Sequence, residues 1–76
     1  MEEKYKKTFV NALSLSNDNV ENISYNEIDE WDSIGHMTLV SELEEAFGIT
    51  FDTDDIVNFS SYKEGKKILE KLGVKF

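Results

Sequence analysis

The sequence predicts an all-α fold, a small bundle of three main helices and one short helix with a long loop between the first and second helices. Apolar residues recur at helical spacing in three segments, and capping residues or glycines mark the ends of these segments. No segment alternates apolar and polar residues as a strand would. A chain of 76 residues is too short for two hydrophobic cores, so residues 1–76 are predicted to form a single domain.

The first half of the chain combines a helix with a long polar loop. Residues 2–14 are predicted to form the first helix, because acidic residues in its first turn suit the positive end of the helix dipole. Residues 15–32 show no clean period, so we expect a loop that scattered apolar side chains pin to the core. The expected inner residues of the helix are Tyr5, Phe9, Ala12 and Leu13, and the expected pins are Val20, Ile23, Tyr25, Ile28 and Trp31.

The strongest helical pattern covers residues 33–47. Asp32 or Ser33 supplies its N-cap, and Gly48 supplies its stop. A rotation of about 100° per residue collects five apolar side chains into one arc, which should face the core. These side chains are Leu39, Val40, Leu43, Ala46 and Phe47.

Two shorter helices are predicted after Gly48. Thr53 should cap a short helix that extends through about Asn58. Ser61 and Glu64 match a capping box, and the helix that they start should end near Leu72. The side chains expected to face inward are Ile56, Phe59, Ile68, Leu69 and Leu72.

Composition excludes several functions. Sixteen acidic residues outnumber eight lysines, so nucleic acid and anionic membrane surfaces are not expected partners, whereas basic protein surfaces are. The chain has no cysteine, and residues 52–55 begin like a calcium loop but lack its later ligand and glycine, so no metal site is predicted. Ser33 and His36 lack an evident oxyanion hole, so no enzyme is predicted. The N-terminus does not match a secretory signal, and we expect a cytoplasmic monomer.

Ser33 is the candidate functional residue, because it lies where the long loop meets the strongest helix. A phosphate ester at this position would face unpaired backbone N–H groups and the positive end of the helix dipole. The simpler interpretation is that Ser33 only caps the helix, and spacing alone favours it. Ile34 and Met37 fall outside the core arc, on a polar and acidic face of the same helix, so they call for a role other than core packing.

Several segments together resemble the acyl carrier protein family. Asp32-Ser33-Ile34 is similar to the family's Asp-Ser-Leu motif, and the resemblance extends over nearly the whole chain. The Trp-Asp-Ser-x-Gly-His-Met form is more similar to freestanding carriers of specialised pathways than to carriers of fatty acid biosynthesis. The other matching segments are residues 25–32 before the serine, Leu39-Val40, residues 42–45, Phe47-Gly48-Ile49, residues 54–56 and residues 61–72.

The resemblance implies that Ser33 carries 4′-phosphopantetheine, which a phosphopantetheinyl transferase takes from coenzyme A. The thiol of this arm would hold an acyl group as a thioester and deliver it in a lipid, polyketide or other specialised pathway. The implied partners are the transferase, a loading enzyme and downstream acyl-transfer enzymes with basic docking surfaces. The resemblance also implies a partner-binding face that comprises Asp32, Ile34, Met37, Glu44 and Glu45.

Two functions other than an acyl carrier are also consistent with the sequence. An aminoacyl or peptidyl carrier would use the same arm, and an acidic helical adaptor would use none. His36 is expected to pack against the core, although it could contact the phosphate of the arm. Trp31 is expected to clamp the loop rather than contact a partner. The glutamates at positions 42, 44 and 45 could form an ordinary solvated face. Isoleucine at position 34 and Gly35-His36 depart from the family pattern and leave the partner enzymes open.

Overall fold

The computed structural model describes residues 2–76, and more than half of these residues lie in four helices. Within this range the backbone otherwise forms one isolated antiparallel bridge, between Ser24 and Ser61, and no strand. The predicted all-α fold with one short helix is therefore confirmed. None of the helices described is long and apolar enough to cross a bilayer. The helices are α1 (Glu2–Leu13), α2 (Ser33–Phe47), α3 (Thr53–Asn58) and α4 (Tyr62–Lys71).

Aromatic rings form the centre of the core. The Phe9 ring meets the Trp31 ring edge-to-face, with 5.0 Å between their centroids, and the Tyr62 ring at 5.2 Å. The buried Tyr5 hydroxyl donates a 2.7 Å hydrogen bond to the Tyr62 carbonyl, and burial raises the pKa of this phenol far above its ordinary value. The buried apolar residues are Tyr5, Phe9, Leu13, Val20, Trp31, Leu39, Val40, Leu43, Phe51, Phe59, Tyr62, Ile68, Leu69 and Val74.

Helices α1 and α2 pack antiparallel. The ammonium group of Lys4, near the start of α1, lies 5.0 Å from the ring centroid of Phe47 at the end of α2. At the opposite end, the Leu13 side chain lies against Gly35 in the first turn of α2. The start of α2 is therefore held beside the end of α1, where the long loop begins.

The loop before α2 is tied to the rest of the chain by side chains and by backbone. Val20 and Trp31 are buried, which confirms them as pins, and Ile23 and Ile28 are half-buried. Tyr25 is 42% exposed, so it is only partly a side-chain pin, although its ring lies edge-on to Trp31 and His36 at 6.2 and 5.1 Å between centroids. Its backbone N–H also donates to the Ser60 carbonyl at 2.8 Å, and the Tyr62 N–H donates to the Ile23 carbonyl at 3.1 Å.

The caps of the two later helices differ in detail from the predicted ones. Asp52, not Thr53, caps α3, and it forms a reciprocal capping box with Asp55. Only half of the predicted box at α4 forms: the Ser61 hydroxyl accepts from the Glu64 N–H at 3.0 Å, while the Glu64 carboxylate lies near Lys67. The reciprocal bonds with Asp55 favour Asp52 over the adjacent Thr53 as the cap.

Helix bounds and inward faces are otherwise close to the prediction. Helix α2 spans residues 33–47, and Gly48 ends it in the left-handed conformation with φ of 64°. Helix α4 ends at Lys71, with Leu72 as its C-cap. The side chains that are only half-buried rather than in the core are Ala12, Ala46, Phe47, Ile56 and Leu72.

Gly35 allows the loop to lie directly against α2. A methyl group at this position would overlap the backbone carbonyl oxygen of Glu30 and would lie 3.1 Å from the Leu13 side chain. The Glu30 oxygen belongs to the backbone, so it cannot rotate away as a flexible side chain would. A glycine is therefore required for this close approach of loop and helix.

We expect Gly35→Ala to destabilise the protein. Alanine gains up to about 1 kcal/mol of helix propensity, but overpacking against fixed atoms costs about 1–3 kcal/mol, so the overlap should prevail. Chemical denaturation should show a net loss of about 1–2 kcal/mol in the free energy of unfolding. Ser41→Ala, at an exposed position of the same helix, is the control and should change it by less than about 0.5 kcal/mol. Equal stability of the two variants would contradict the overlap.

An ion pair connects α3 to α4. The Asp55 carboxylate is only 2% exposed, and the Lys71 ammonium donates to it at 2.5 Å. This hydrogen bond holds the pKa of Asp55 below its ordinary value, and the capping contacts with Asp52 act in the same direction. The sequence predicts a short helix here but not this ion pair, because nothing local pairs Asp55 with a lysine sixteen residues later.

The Asp55–Lys71 pair should make stability depend on acid pH. A carboxyl group whose pKa is lowered by folding stabilises the protein above its unfolded pKa of about 4, and this stabilisation is lost as the pH falls through the lower folded pKa. We therefore expect the Tm of the wild-type protein to fall more steeply from about pH 5 to about pH 2 than that of Asp55→Asn.

Lys71→Met should flatten the same profile, because it removes the main cause of the lowered pKa. Lys67→Met, which removes only the exposed contact with Glu64, is the matched control and should keep the wild-type slope. Parallel profiles for all four proteins would show that the pair does not contribute.

Candidate functional site

The junction between the loop and α2 separates the cap from the serine. Asp32 is the N-cap: its carboxylate accepts the Gly35 N–H at 2.8 Å, and its carbonyl accepts the His36 N–H at 2.8 Å. Ser33 is the first residue of the helix, and it is exposed. The interpretation of Ser33 as a cap is therefore wrong, and its hydroxyl is accessible from solvent.

Backbone groups around Ser33 suit an anion. The first N–H groups of a helix have no partner within the helix, and here the cap satisfies the N–H of Gly35. The N–H groups of Ser33 and Ile34 therefore point out of the positive end of a 15-residue helix. A phosphate esterified to the Ser33 oxygen would lie close to two donors and to a favourable dipole.

His36 lies on the inner side of the same turn. The Trp31 indole N–H donates to its Nδ1 at 3.0 Å, and its Nε2 donates to the Ile56 carbonyl at 2.8 Å. The ring is 9% exposed, so the prediction of a packing residue is confirmed. Trp31 is fully buried, which confirms it as a clamp for the loop. The sequence offered no sign that these two residues are partners.

The outward face of α2 carries unusual apolar exposure. Ile34 is 77% exposed and Met37 is 52% exposed, and both line a shallow groove that begins at Ser33. Val57 on α3 is 73% exposed, a feature that sequence analysis missed. Isolated apolar residues are common on protein surfaces, but two beside one candidate serine indicate a contact surface. The remaining residues that line the groove are Thr38, Ser41 and Glu42.

The three glutamates of α2 are not equivalent. Glu42 and Glu45 are exposed, whereas Glu44 is half-buried and its carboxylate accepts the Phe51 N–H at 2.9 Å. Glu44 therefore also holds the segment after Gly48 against the helix. This contact could not be inferred from the spacing of residues along α2.

Charge is divided between two parts of the chain. All eight lysines lie in residues 4–7 and 63–75, while residues 8–62 contain none. Twelve of the sixteen acidic residues lie in residues 8–62; the other four are Glu2, Glu3, Glu64 and Glu70. Ser33 and all of α2 therefore belong to a stretch whose formal charges are exclusively negative. Such a region attracts basic surfaces and repels acidic ones.

Comparison with known proteins agrees with these features. A family model for the phosphopantetheine attachment site matches residues 11–64, which include Ser33 and more than half of the chain. Neither a curated protein nor a solved structure shows a significant match. A domain of this family carries a prosthetic group and is not itself catalytic. The chain therefore belongs to the phosphopantetheine attachment site family, and it is a non-catalytic carrier that binds 4′-phosphopantetheine.

Proposed function

We propose that the protein is an acyl carrier protein whose 4′-phosphopantetheine arm is attached to the Ser33 hydroxyl. The observation that carries this proposal is the division of roles at the start of α2, where Asp32 makes the cap and Ser33 is left exposed. A serine that capped the helix would have its oxygen engaged by a backbone N–H group. Here the oxygen is available as a nucleophile.

The residues at the junction fit the phosphate end of the arm. The Ser33 oxygen would supply the ester linkage, and the N–H groups of Ser33 and Ile34 would hold the phosphate. In the transfer, this oxygen bonds to phosphorus, the phosphoanhydride bond of coenzyme A breaks, and adenosine bisphosphate leaves with the bonding electrons. The serine proton passes to a base of the transferase. When bound, the arm supplies the thiol that a chain without cysteine lacks.

Partner enzymes are proposed to dock on the acidic, partly apolar face around Ser33. Ile34 and Met37 supply exposed apolar surface, and Glu45 supplies an exposed carboxylate. Asp32 and Glu44 add negative charge, although both also make internal hydrogen bonds. Such a surface favours fast encounter with basic partners and ready release, which a carrier that visits several enzymes needs.

Incubation with coenzyme A and a promiscuous phosphopantetheinyl transferase should add the mass of one phosphopantetheine group to the wild-type protein. Ser33→Ala should gain nothing, because it removes the nucleophilic oxygen. Ser16→Ala is the matched control, since this serine is also exposed but does not line the groove that begins at Ser33, and it should not affect the modification. Intact-mass spectrometry provides the measurement.

Two results would contradict attachment at Ser33. One is a wild-type protein that stays unmodified while a known carrier is modified under the same conditions, and the other is a Ser33→Ala variant that still gains the group. The mass of the protein isolated from its own cell tests the cargo. A fatty or polyketide acyl thioester is the expected species. An aminoacyl thioester would instead show that the protein is an aminoacyl carrier.

Charge reversal on the proposed docking face should slow modification. We expect Glu45→Lys to lower the kcat/KM of the transferase about three- to tenfold at low salt, with a smaller effect at high salt. Glu70→Lys makes the same change in net charge on α4 and is the control. A local docking face predicts a much smaller effect for this control. Equal effects at both sites would show that only net charge matters.

A further inference from the structure

His36 joins three parts of the molecule close to the proposed attachment point. Its Nδ1 accepts from the indole of Trp31 in the loop, its Nε2 donates to Ile56 in α3, and its backbone belongs to α2. The imidazole and indole rings lie edge to edge across this bond, with centroids 6.1 Å apart and planes inclined by 26°. The exposed ring of Tyr25 lies edge-on to the imidazole, with 5.1 Å between centroids.

Three hydrogen bonds bracket Ser33. The Trp31 side chain bonds to the His36 ring at 3.0 Å, the Asp32 carboxylate bonds to the Gly35 N–H at 2.8 Å, and the Asp32 carbonyl bonds to the His36 N–H at 2.8 Å. Each bond joins a residue just before Ser33 to a residue just after it. The backbone at Ser33 is therefore restrained by bonds between the residues before it and the residues after it.

The Trp31 bond differs from the two Asp32 bonds. Caps like that of Asp32 are common at helix starts and specify only the first turn. The Trp31–His36 bond instead links the buried end of the loop to α2, so it restrains the residues on both sides of Ser33 relative to the core.

We propose that His36 is a positioning residue for the modification of Ser33: through its bond to Trp31 it holds the junction in the orientation that the transferase requires. This inference rests on the proposed function, because it assumes that Ser33 is the attachment point. A displacement of about 1 Å at a reacting group can slow a reaction by about two orders of magnitude, so one bond at this junction can affect the rate.

The two bonds of the His36 ring can be removed separately. The indole N–H can only donate and the Ile56 carbonyl can only accept, so the ring is neutral and carries its proton on Nε2. His36→Asn places an amide oxygen near the position of Nδ1 and keeps an acceptor for Trp31. His36→Gln places its amide near Nε2 and keeps a donor for Ile56. Trp31→Phe removes the indole N–H and retains an aromatic ring.

The experiment measures kcat and KM for transfer from coenzyme A to each variant, at a temperature well below its unfolding midpoint. His36→Gln and Trp31→Phe should both lower kcat/KM about tenfold, because both lose the bond between Trp31 and His36. His36→Asn should stay within about threefold of wild type, although it loses the bond to Ile56. The Trp31→Phe/His36→Gln double variant should be no slower than either single variant, because the two changes remove the same bond.

A spectroscopic measurement tests the bond itself. The chain has one tryptophan, so its indole N–H gives a single proton resonance. This proton should exchange slowly with solvent in the wild type and in His36→Asn, and at least about tenfold faster in His36→Gln. If His36→Gln does not fold, Trp31→Phe and His36→Asn still separate the two bonds.

The inference is overturned if the Trp31→Phe rate equals that of wild type, or if rates follow thermal stability rather than the Trp31 bond. All positioning variants should still reach complete single modification after long incubation, whereas Ser33→Ala should never be modified. A wild-type protein that is not modified at all would instead contradict the proposed function.

Discussion

The buried side chain of Trp31 joins the end of the long loop to the helices of the core. This fully buried indole lies 5.0 Å from Phe9 of α1, 6.1 Å from His36 of α2 and 6.1 Å from Phe59 after α3, all measured between ring centroids. The loop before α2 has little regular structure, so its final residues need an anchor. An aromatic side chain that touches several helices supplies this anchor, because ring burial and ring contacts both stabilise it. The only polar atom of the indole is satisfied by His36, so burial leaves no unpaired donor.

The anchor places the candidate functional residues and the packing residues on two sides of one helical turn. His36 and Gly35 face the loop and the core, while Ser33, Ile34 and Met37 face solvent. The inner side depends on close packing, and its residues tolerate little change in volume. The outer side makes few internal contacts, so its composition is free to suit partners. This division explains why the exposed apolar residues and the acidic residues of α2 lie on the side that the core does not use.

Local signals in the sequence predicted the elements well, and tertiary contacts account for what they missed. The bounds of α2 were predicted because Asp32 and Gly48 act within one turn of the residues that they cap. Ser33 as the candidate site followed from its position at a helix start and from a family resemblance. The bonds of Trp31 to His36, Lys71 to Asp55 and Glu44 to Phe51 could not be predicted, because each depends on how separate segments are brought together. The helical rotation of about 100° per residue placed His36 on the inner side of α2. This was the one available sign that it packs against the core.

The adjacent aspartate and serine resolve a conflict in the requirements of the proposed attachment site. A helix start needs a side chain that accepts a backbone N–H, and serine is among the best residues for that task. A residue that reacts with an incoming phosphorus atom is better served by an oxygen that no backbone N–H engages, so the two tasks are best divided between two residues. With Asp32 as the cap, the helix is held by a carboxylate, whose hydrogen bonds are stronger than those of a hydroxyl. Ser33 is then fixed by its neighbours while its own oxygen remains accessible. The same carboxylate adds negative charge beside the serine, so a single residue contributes to the folding of the junction and to the electrostatics of the proposed docking face.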